Sequence, residues 1–464
     1  MIPMTKQFRH SASFRDPSGH VEVVDGKVYR HINPVYFAQY NTIKKTGFFE
    51  KLFDNKLLVS HQEIEANAER IKLKAEVVPF ITYPYEWSFA QYKHAALHTL
   101  KLQKYCLQNG FSLKDATAFN IAFHNGAPIF IDTLSIEDYT EGQPWRAYKQ
   151  FLMHFVGPLV LAKYYGNDML KLLHQYIDGI PLQKVVALLP FKARFSTILY
   201  TNLYLTAKYE DKYSGETNKE QGNKSVVSKT SQLKIIDALY DYIKGLTINE
   251  KTEWKDYYSV TNYDKAAFDY KKDLVKAWVS KAEAKKIIDH GGNDGTFSRV
   301  LAADANLIIT TDIDANAVNQ NYLQVLGQKD KNIIPIVCDL MNPPAAIGFA
   351  NAERQSLEER LVSAGFDVSL ALALIHHISL TGNVPFIMSA AYFAKLSKYL
   401  IIEFPDRDDS WVRFLLDSKR EFRAHFDYYS RANFENDYSQ YFNLVEKVAI
   451  PGTSRTLFLF EKRS

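Results

Sequence analysis

A chain of 464 residues is longer than one ordinary hydrophobic core and implies two or three domains. Its composition, 47% hydrophobic and 23% charged, is globular and excludes disorder as the dominant state. A formal net charge of +4 gives no electrostatic case for nucleic acid as a partner, and two distant cysteines, Cys106 and Cys338, form neither a disulfide framework nor a zinc pattern, which fits a reducing cytosol.

The first twenty residues lack the apolar run of a signal peptide. "GHVEVVDGKVYRHI" holds two strand-like runs around Asp25-Gly26 and predicts a hairpin. "QEIEANAERIKLKAE" and "FAQYKHAALHTLKLQKYCLQNG" read as helices, and "NIAFHNGAPIFIDTLS" as a second hairpin around Asn125-Gly126. The most apolar segment, Phe151 to Tyr165, carries His154, Gly157 and Pro158 and is short of the ~20 residues needed to span a bilayer. It predicts a buried core helix, with no membrane partner.

Tyr209 to Gln232 is polar and lacks apolar periodicity, so it reads as a flexible linker. The expected domains are therefore 1–208, mixed α/β, and 233–464, with the linker 209–232 between them. In the second domain, "KKIIDHG", "LIITTDID", "IIPIVCDL", "DVSLALAL" and "YLIIEFP" are short, apolar and branched, as buried parallel strands are. Helical patterns lie between several of them, which predicts a parallel α/β sheet. The last two strands, "FNLVEKVAI" and "RTLFLFEKR", are separated only by "PGTS" and must pair antiparallel.

The first of those strands ends in "DHGGNDG". A glycine-rich turn between strand and helix lets a ligand approach the backbone. The dinucleotide fingerprint fails here, because Asn293 and Thr296 stand where its second and third glycines belong. What is present is Asp289, Gly291, Asn293 and Gly295 at alternate positions, with Gly292 between. This resembles motif I of the class I S-adenosylmethionine (SAM) methyltransferases. A carboxylate before the turn suits the cationic amino and sulfonium groups of SAM, whereas it would repel a pyrophosphate.

The resemblance continues in chain order. Asp312 ends the second strand, 23 residues after Asp289 (312 − 289), at the place where an acid accepts hydrogen bonds from ribose hydroxyls, and is expected there in preference to Asp314. Asp339 and Leu340 end the third strand, where that family holds the adenine. "LALALIHHI" ends the fourth. Together with "SASFRDPSGHVEVVDGKVYRHIN", "NPPAAIGFANAERQSLEERL" and "LIIEFPDRDDSWVRFLL", the chain is similar over nearly its whole length to the NoeA-type nodulation methyltransferase-related family. The resemblance implies a bacterial, cytoplasmic, SAM-dependent methyltransferase with a Rossmann-like, mostly parallel seven-stranded sheet. It implies a small-molecule or saccharide acceptor and leaves the acceptor's identity and the oligomeric state open. One departure is "EFPDRDD", where that family more often has a Val-Pro-Lys-like segment.

His376 and His377 follow the fourth strand, at the end of the sheet where ligands bind, and are candidates for a general base or for holding the next loop. In an extended segment they would face opposite ways. Glu403, ending the fifth strand, is a second candidate base. Tyr258 and Tyr263 are positioned to cover a ligand or to pack. Pro343 to Gly365 is long for a connection, and its polar residues Asn351, Glu353 and Arg354 read either as a solvated face or as substrate contacts.

In the first domain, Asp115, Asn120 and Asp132 have the spacing of a catalytic-loop acid, a metal-binding amide and a second metal-binding acid in kinase-like folds. Arg30 is the stand-in for the missing strand lysine. A glycine-rich phosphate loop is absent from the sequence, so a degenerate kinase-like domain competes with simple capping roles for these residues. No metal is expected. Phosphotransfer and a catalytically silent SAM-binding adaptor are the alternatives to methyl transfer.

Overall fold

The computed structural model describes residues 8–213, 226–248 and 263–463. It divides into two compact units, Met1–Glu250 with Ala346–Gln355, and Lys251–Ala345 with Ser356–Ser464.

The first unit opens on an antiparallel sheet formed by β1 (Phe8–Arg9), β2 (Gly19–Val24), β3 (Lys27–Ile32), β4 (His61–Ala66) and β5 (Ile71–Ala75), in the order β1-β2-β3-β5-β4. The β2–β3 turn falls on Asp25-Gly26, both at positive φ, as a two-residue hairpin with right-handed twist requires. The expected helix over 62–76 is instead the β4–β5 hairpin. Its residues are good helix formers, but burial alternates along β4, and Ile71 and Leu73 are buried while Lys72 and Lys74 face outward. The turn is set by Asn67, whose Oδ1 accepts from the Glu69 and Arg70 amides at 2.9 Å each.

The helix Phe89–Gln108 follows, N-capped by Ser88. After it come β6 (Phe111–Leu113), β7 (Ile121–His124), β8 (Ala127–Phe130) and β9 (Ile136–Asp138), paired as β6–β9 and β7–β8. The β7–β8 turn is Asn125-Gly126, again at positive φ. The apolar segment Phe151–Tyr165 is helical and largely buried, through a π-turn at Leu152–Val156 and a helix at Gly157–Tyr165. Among the described residues no helix is long and apolar enough to cross a membrane.

The expected boundaries need correction. Residues 209–213 continue the helix Leu205–Tyr213, and 214–225 lie outside the described residues. Helix Lys229–Lys244 belongs to the first unit, not to a domain beginning at 233. Its buried stripe, Gln232, Ile236, Leu239 and Ile243, closes on that unit, and Lys104 pairs with its Asp237 at 2.6 Å.

The second unit is a seven-stranded sheet: β10 (Lys286–His290), β11 (Leu307–Asp312), β12 (Ile333–Val337), β13 (Phe366–Ala371), β14 (Ser397–Pro405), β15 (Phe442–Ala449) and β16 (Arg455–Lys462). The order is β12-β11-β10-β13-β14-β16-β15. The first five are mutually parallel and β16 is antiparallel to both of its neighbours. This is the class I methyltransferase arrangement, with its terminal antiparallel hairpin. Strand alternation builds two apolar layers. Ile401, Leu457 and Leu459 pack in one core cluster with Val275 and Trp278, while Leu400, Ile402, Phe458 and Phe460 pack in the other with Phe393 and Phe434. The order in which strands are added reverses between β10 and β13, and that switch point opens a crevice at the carboxyl ends of the strands.

Candidate functional site

Asp289 lies near the end of β10, beside Thr310 of β11 and Leu370 of β13, and its carboxyl group is buried. The turn that follows needs three left-handed residues: Gly291 (φ 64°), Asn293 (φ 49°) and Gly295 (φ 80°). Asparagine is the side-chain-bearing residue that adopts this conformation most readily, which is why it replaces a glycine here. Gly292 is required by space. A Cβ there would lie 2.5 Å from Thr310 Cγ2 and 2.7 Å from Asp289 Oδ2. At Gly295 a Cβ would land on the Asn321 carboxamide.

Two carboxylates frame the turn. Asp289 accepts from Ser298 Oγ at 2.8 Å, and burial raises it to about 7. Asp312 accepts the Asn293 amide on one oxygen and the Asp314 amide on the other, each at 2.8 Å, so it ties β11 to the turn. Burial raises it to about 6 despite those bonds. Asp314 caps the helix Ala315–Gln328 instead.

The turn opens onto a cavity of about 500 Å³. Of the expected cofactor residues, Asp289, Gly291, Gly292, Asn293, Asp312, Asp339 and Leu340 border it. Gly295 does not; it starts the helix Thr296–Leu301. Asp339 also accepts the Met341 amide at 2.9 Å. Tyr263, Phe268, Lys271 and Phe297 form another part of the wall. Tyr258 lies outside the described residues.

The histidine segment is not extended. The chain turns helical at Ile375 and passes into a π-turn at His377–Thr381, leaving the two rings 4.2 Å apart at their centroids. His377 borders the cavity. Burial and the charge of Arg455 lower it to about 4, so it is neutral near pH 7. His376 is buried away from the cavity wall, and its Nδ1 finds no hydrogen-bond partner. Glu403 is also buried and off the wall. It accepts from Tyr263 Oη, Lys271 Nζ, the Ala373 amide (3.0 Å) and Arg455 Nη1 (3.0 Å). With its oxygens so engaged and its carboxyl held at about 2, Glu403 is an anchor and not a free base.

Lys271 and Arg455 were missed from sequence. A signal for Lys271 exists: it stands in the buried stripe Ala267, Lys271, Val275, Trp278 of the helix Lys265–Lys281, where a charge needs a partner. Arg455 opens β16 and gives no local cue; its second partner, Asp409, lies 2.8 Å from Nε.

In the first unit, Asp115, Asn120 and Asp132 do converge. Arg30 Nη1 is 2.5 Å from Asp132 Oδ1, Ser135 Oγ donates to Asp132 Oδ2, and Asn120 Nδ2 lies 3.4 Å from Ser135 Oγ. Burial and the charge of Asp132 raise the Asp115 carboxyl. Capping occurs as well: Asp115 accepts the Thr117 amide and Asp132 the Leu134 amide. Among the described residues no cluster of three or more His, Cys, Asp and Glu suits a metal ion. Of the 343–365 residues, Asn351 is exposed, while Glu353 is buried in the first unit.

No family model matches the chain. It is 32% identical over 467 residues to nodulation protein NoeA of Rhizobium meliloti (strain 1021), covering 98% of this chain and 96% of that protein. Among solved structures it is similar to N-methyltransferase NodS of Bradyrhizobium japonicum WM9 (TM-score 0.31, 12% identity, 43% of this chain and 99% of that one). It is similar to magnesium protoporphyrin IX methyltransferase of Synechocystis PCC 6803 with bound SAM (0.29, 15%, 47% and 86%). A third similarity is to WbdD with a kinase inhibitor (0.31, 17%, 48% and 47%).

Asp289 makes a prediction about pH. Its carboxyl is raised in the fold from an ordinary 3.8 to about 7, so its contribution to stability is full below about 4 and is lost as pH rises through about 7. Asp289→Asn should therefore match the parent near pH 4 and exceed it in stability at pH 8 in the absence of ligand. Denaturant unfolding at both pH values checks this, and an equal difference at the two would remove the assignment.

Proposed function

The chain belongs to the family of nodulation protein NoeA, and from that premise we propose that it is a SAM-dependent methyltransferase acting on a small-molecule or saccharide acceptor. The observation that carries this reading is the pair of raised carboxyls, Asp289 and Asp312, at an acid-flanked glycine turn on a 500 Å³ cavity at the switch point of the sheet. A buried carboxyl raised to about 7 is an electrostatic vacancy that a cation fills. The residues fit SAM on that ground: Asp289 would hold the cationic end, Asp312 the ribose hydroxyls, and Asp339 with Leu340 the adenine. When bound, SAM supplies an activated methyl group on a sulfonium.

The chain's own contribution is mostly positioning. The turn fixes one side of the site by its three left-handed residues, and the Glu403 network fixes Tyr263 and Lys271 on another. His377 is the candidate to hold or take a proton from the acceptor. Neutral at pH 7, it can accept a hydrogen bond, but a group lowered to about 4 is a weak base, which favours orientation over full proton abstraction.

A second reading rests on a separate observation, the convergence of Arg30, Asp115, Asn120 and Asp132. It makes the first unit a kinase-like nucleotide site, active or degenerate.

Asp312→Ala should weaken SAM binding by roughly 1.5–3 kcal/mol, as loss of a charged hydrogen-bond acceptor does; unchanged affinity by calorimetry would sink the ribose assignment. Once labelled SAM and a metabolite extract have yielded an acceptor, His377→Ala should keep SAM affinity. It should lose ~10²–10⁴-fold in turnover if the imidazole takes the proton, and only a few-fold if it orients. A fall in SAM affinity would instead make the residue structural. For the second reading, Mg-ATP at millimolar concentration should raise the melting temperature of the full chain and fail to do so with Asp132→Ala; no shift in the parent discards that reading.

A further inference from the structure

The ten-residue excursion Ala346–Gln355 leaves the sequence of the second unit and belongs to the first. It closes on itself through reciprocal bonds between Ile347 and Arg354, both 3.0 Å. Two adjacent charges on it differ in their partners. Glu353 is buried and ion-paired: Arg15 lies 2.7 Å from Oε1 through Nε and donates to Oε2 at 2.9 Å through Nη2, and the Phe349 amide reaches Oε2 at 3.3 Å. Arg15 in turn reaches the exposed Asp178 at 3.0 Å.

Arg354 has no such match. Its guanidinium lies over the Phe119 ring, 4.7 Å from the centroid. Its Nε is buried without a hydrogen-bond partner, while the side chain as a whole keeps 18% of its surface exposed. The carboxylate at 4.0 Å is that of Glu353, an ion pair beyond hydrogen-bond distance that Arg354 shares with Arg15. Tyr83, Tyr85, His10 and His154 lie close enough to feel its charge, and both histidines are held neutral by burial and by that charge. Apart from Glu353 and Arg15, these surroundings are aromatic and uncharged.

A guanidinium largely withdrawn from water, with its Nε buried and unpaired and its carboxylate 4.0 Å away and shared with Arg15, has donor capacity that an oxyanion would fill. Cation–π contact with one ring returns only part of the desolvation cost and does not satisfy the N–H groups. The planar fork matches the geometry of an oxyanion. The place is also suggestive: Phe119 stands between Thr117 and Asn120, and Thr117 Oγ1 is 3.4 Å from the His154 ring nitrogens, so the guanidinium borders the loop that carries Asp115.

We propose that Arg354 anchors an anion site in the first unit, which takes the oxyanion group, phosphate or carboxylate, of a ligand seated against Phe119. It does not rest on the methyl-transfer reading, whose residues lie on the other unit.

The test is thermal unfolding of the full chain titrated with inorganic phosphate and, separately, with acetate, each against chloride at matched ionic strength. In the parent, one of the two oxyanions should raise the melting temperature saturably above chloride, and which one does so identifies the group. Arg354→Gln should raise the half-saturating concentration at least tenfold. Should that variant not fold, Arg354→Lys keeps the charge, loses the fork, and should raise it several-fold. The proposal is overturned if neither oxyanion exceeds chloride in the parent, or if the variant that folds responds as the parent does.

Discussion

The second unit depends on one buried carboxylate. Glu403 joins the helix Lys265–Lys281 through Lys271, the loop after β13 through the Ala373 amide, β16 through Arg455, and the entry to that helix through Tyr263. Arg455 extends the network to Asp409, so two acids balance two cations with no net charge left over. Burying each ion alone would cost several kcal/mol; together they repay one another only because every oxygen is also hydrogen-bonded. The network lies behind the cavity and sets its shape, since Tyr263, Lys271 and Ala373 are wall residues as well as Glu403's partners. The Lys271 ammonium is further enclosed by the Tyr263 and Phe297 rings, at 4.8 and 5.0 Å. Removing Lys271 or Arg455 leaves an uncompensated buried charge.

With Glu403 saturated, the free electrostatic capacity of the cavity falls to Asp289 and Asp312. These two repel one another, are both desolvated, and lie away from the cations that Glu403 has claimed. The Lys271 charge reaches Asp289 only weakly. The same arrangement that makes the fold rigid on one side of the pocket therefore leaves unmatched negative charge on the other, where a cation is attracted. Rigidity and affinity are separated in space, and Glu403 and Asp289 differ in the direction of their shifts for that reason.

How much of this was legible in the sequence follows the range over which each feature is encoded. The glycine turn is local: Gly291, Asn293 and Gly295 are needed by backbone conformation within five residues, so the motif could be read, and the parallel strands after it followed from alternation of elements. The hairpins at Asp25-Gly26 and Asn125-Gly126 were legible for the same reason. The hairpin at 61–75 was not, because Glu, Lys and Ala favour helix by propensity while the pairing of β5 with β3 imposes period two. The Glu403 network spans 132 residues to Lys271 and 52 to Arg455, and no local pattern announces it. The position of the histidines after β13 is local, but their orientation is not: the chain turns helical at Ile375 rather than staying extended, and of the two only His377 borders the cavity.

The unit boundary was illegible for a different reason. An amphipathic stripe, such as that of Lys229–Lys244, says that a helix packs but not against which core. Likewise "IGFANAERQ" reads as a loop of the second unit, because its chain neighbours are there. Its placement goes with Phe349, Glu353 and Arg354, whose partners Phe14, Arg15 and Phe119 are hundreds of residues earlier in the chain. A cut at Glu250 would therefore not liberate an intact first unit. It would leave Arg15 without its buried carboxylate and Phe119 without its guanidinium, two losses carried by ten residues that no boundary drawn along the sequence can assign to the right side.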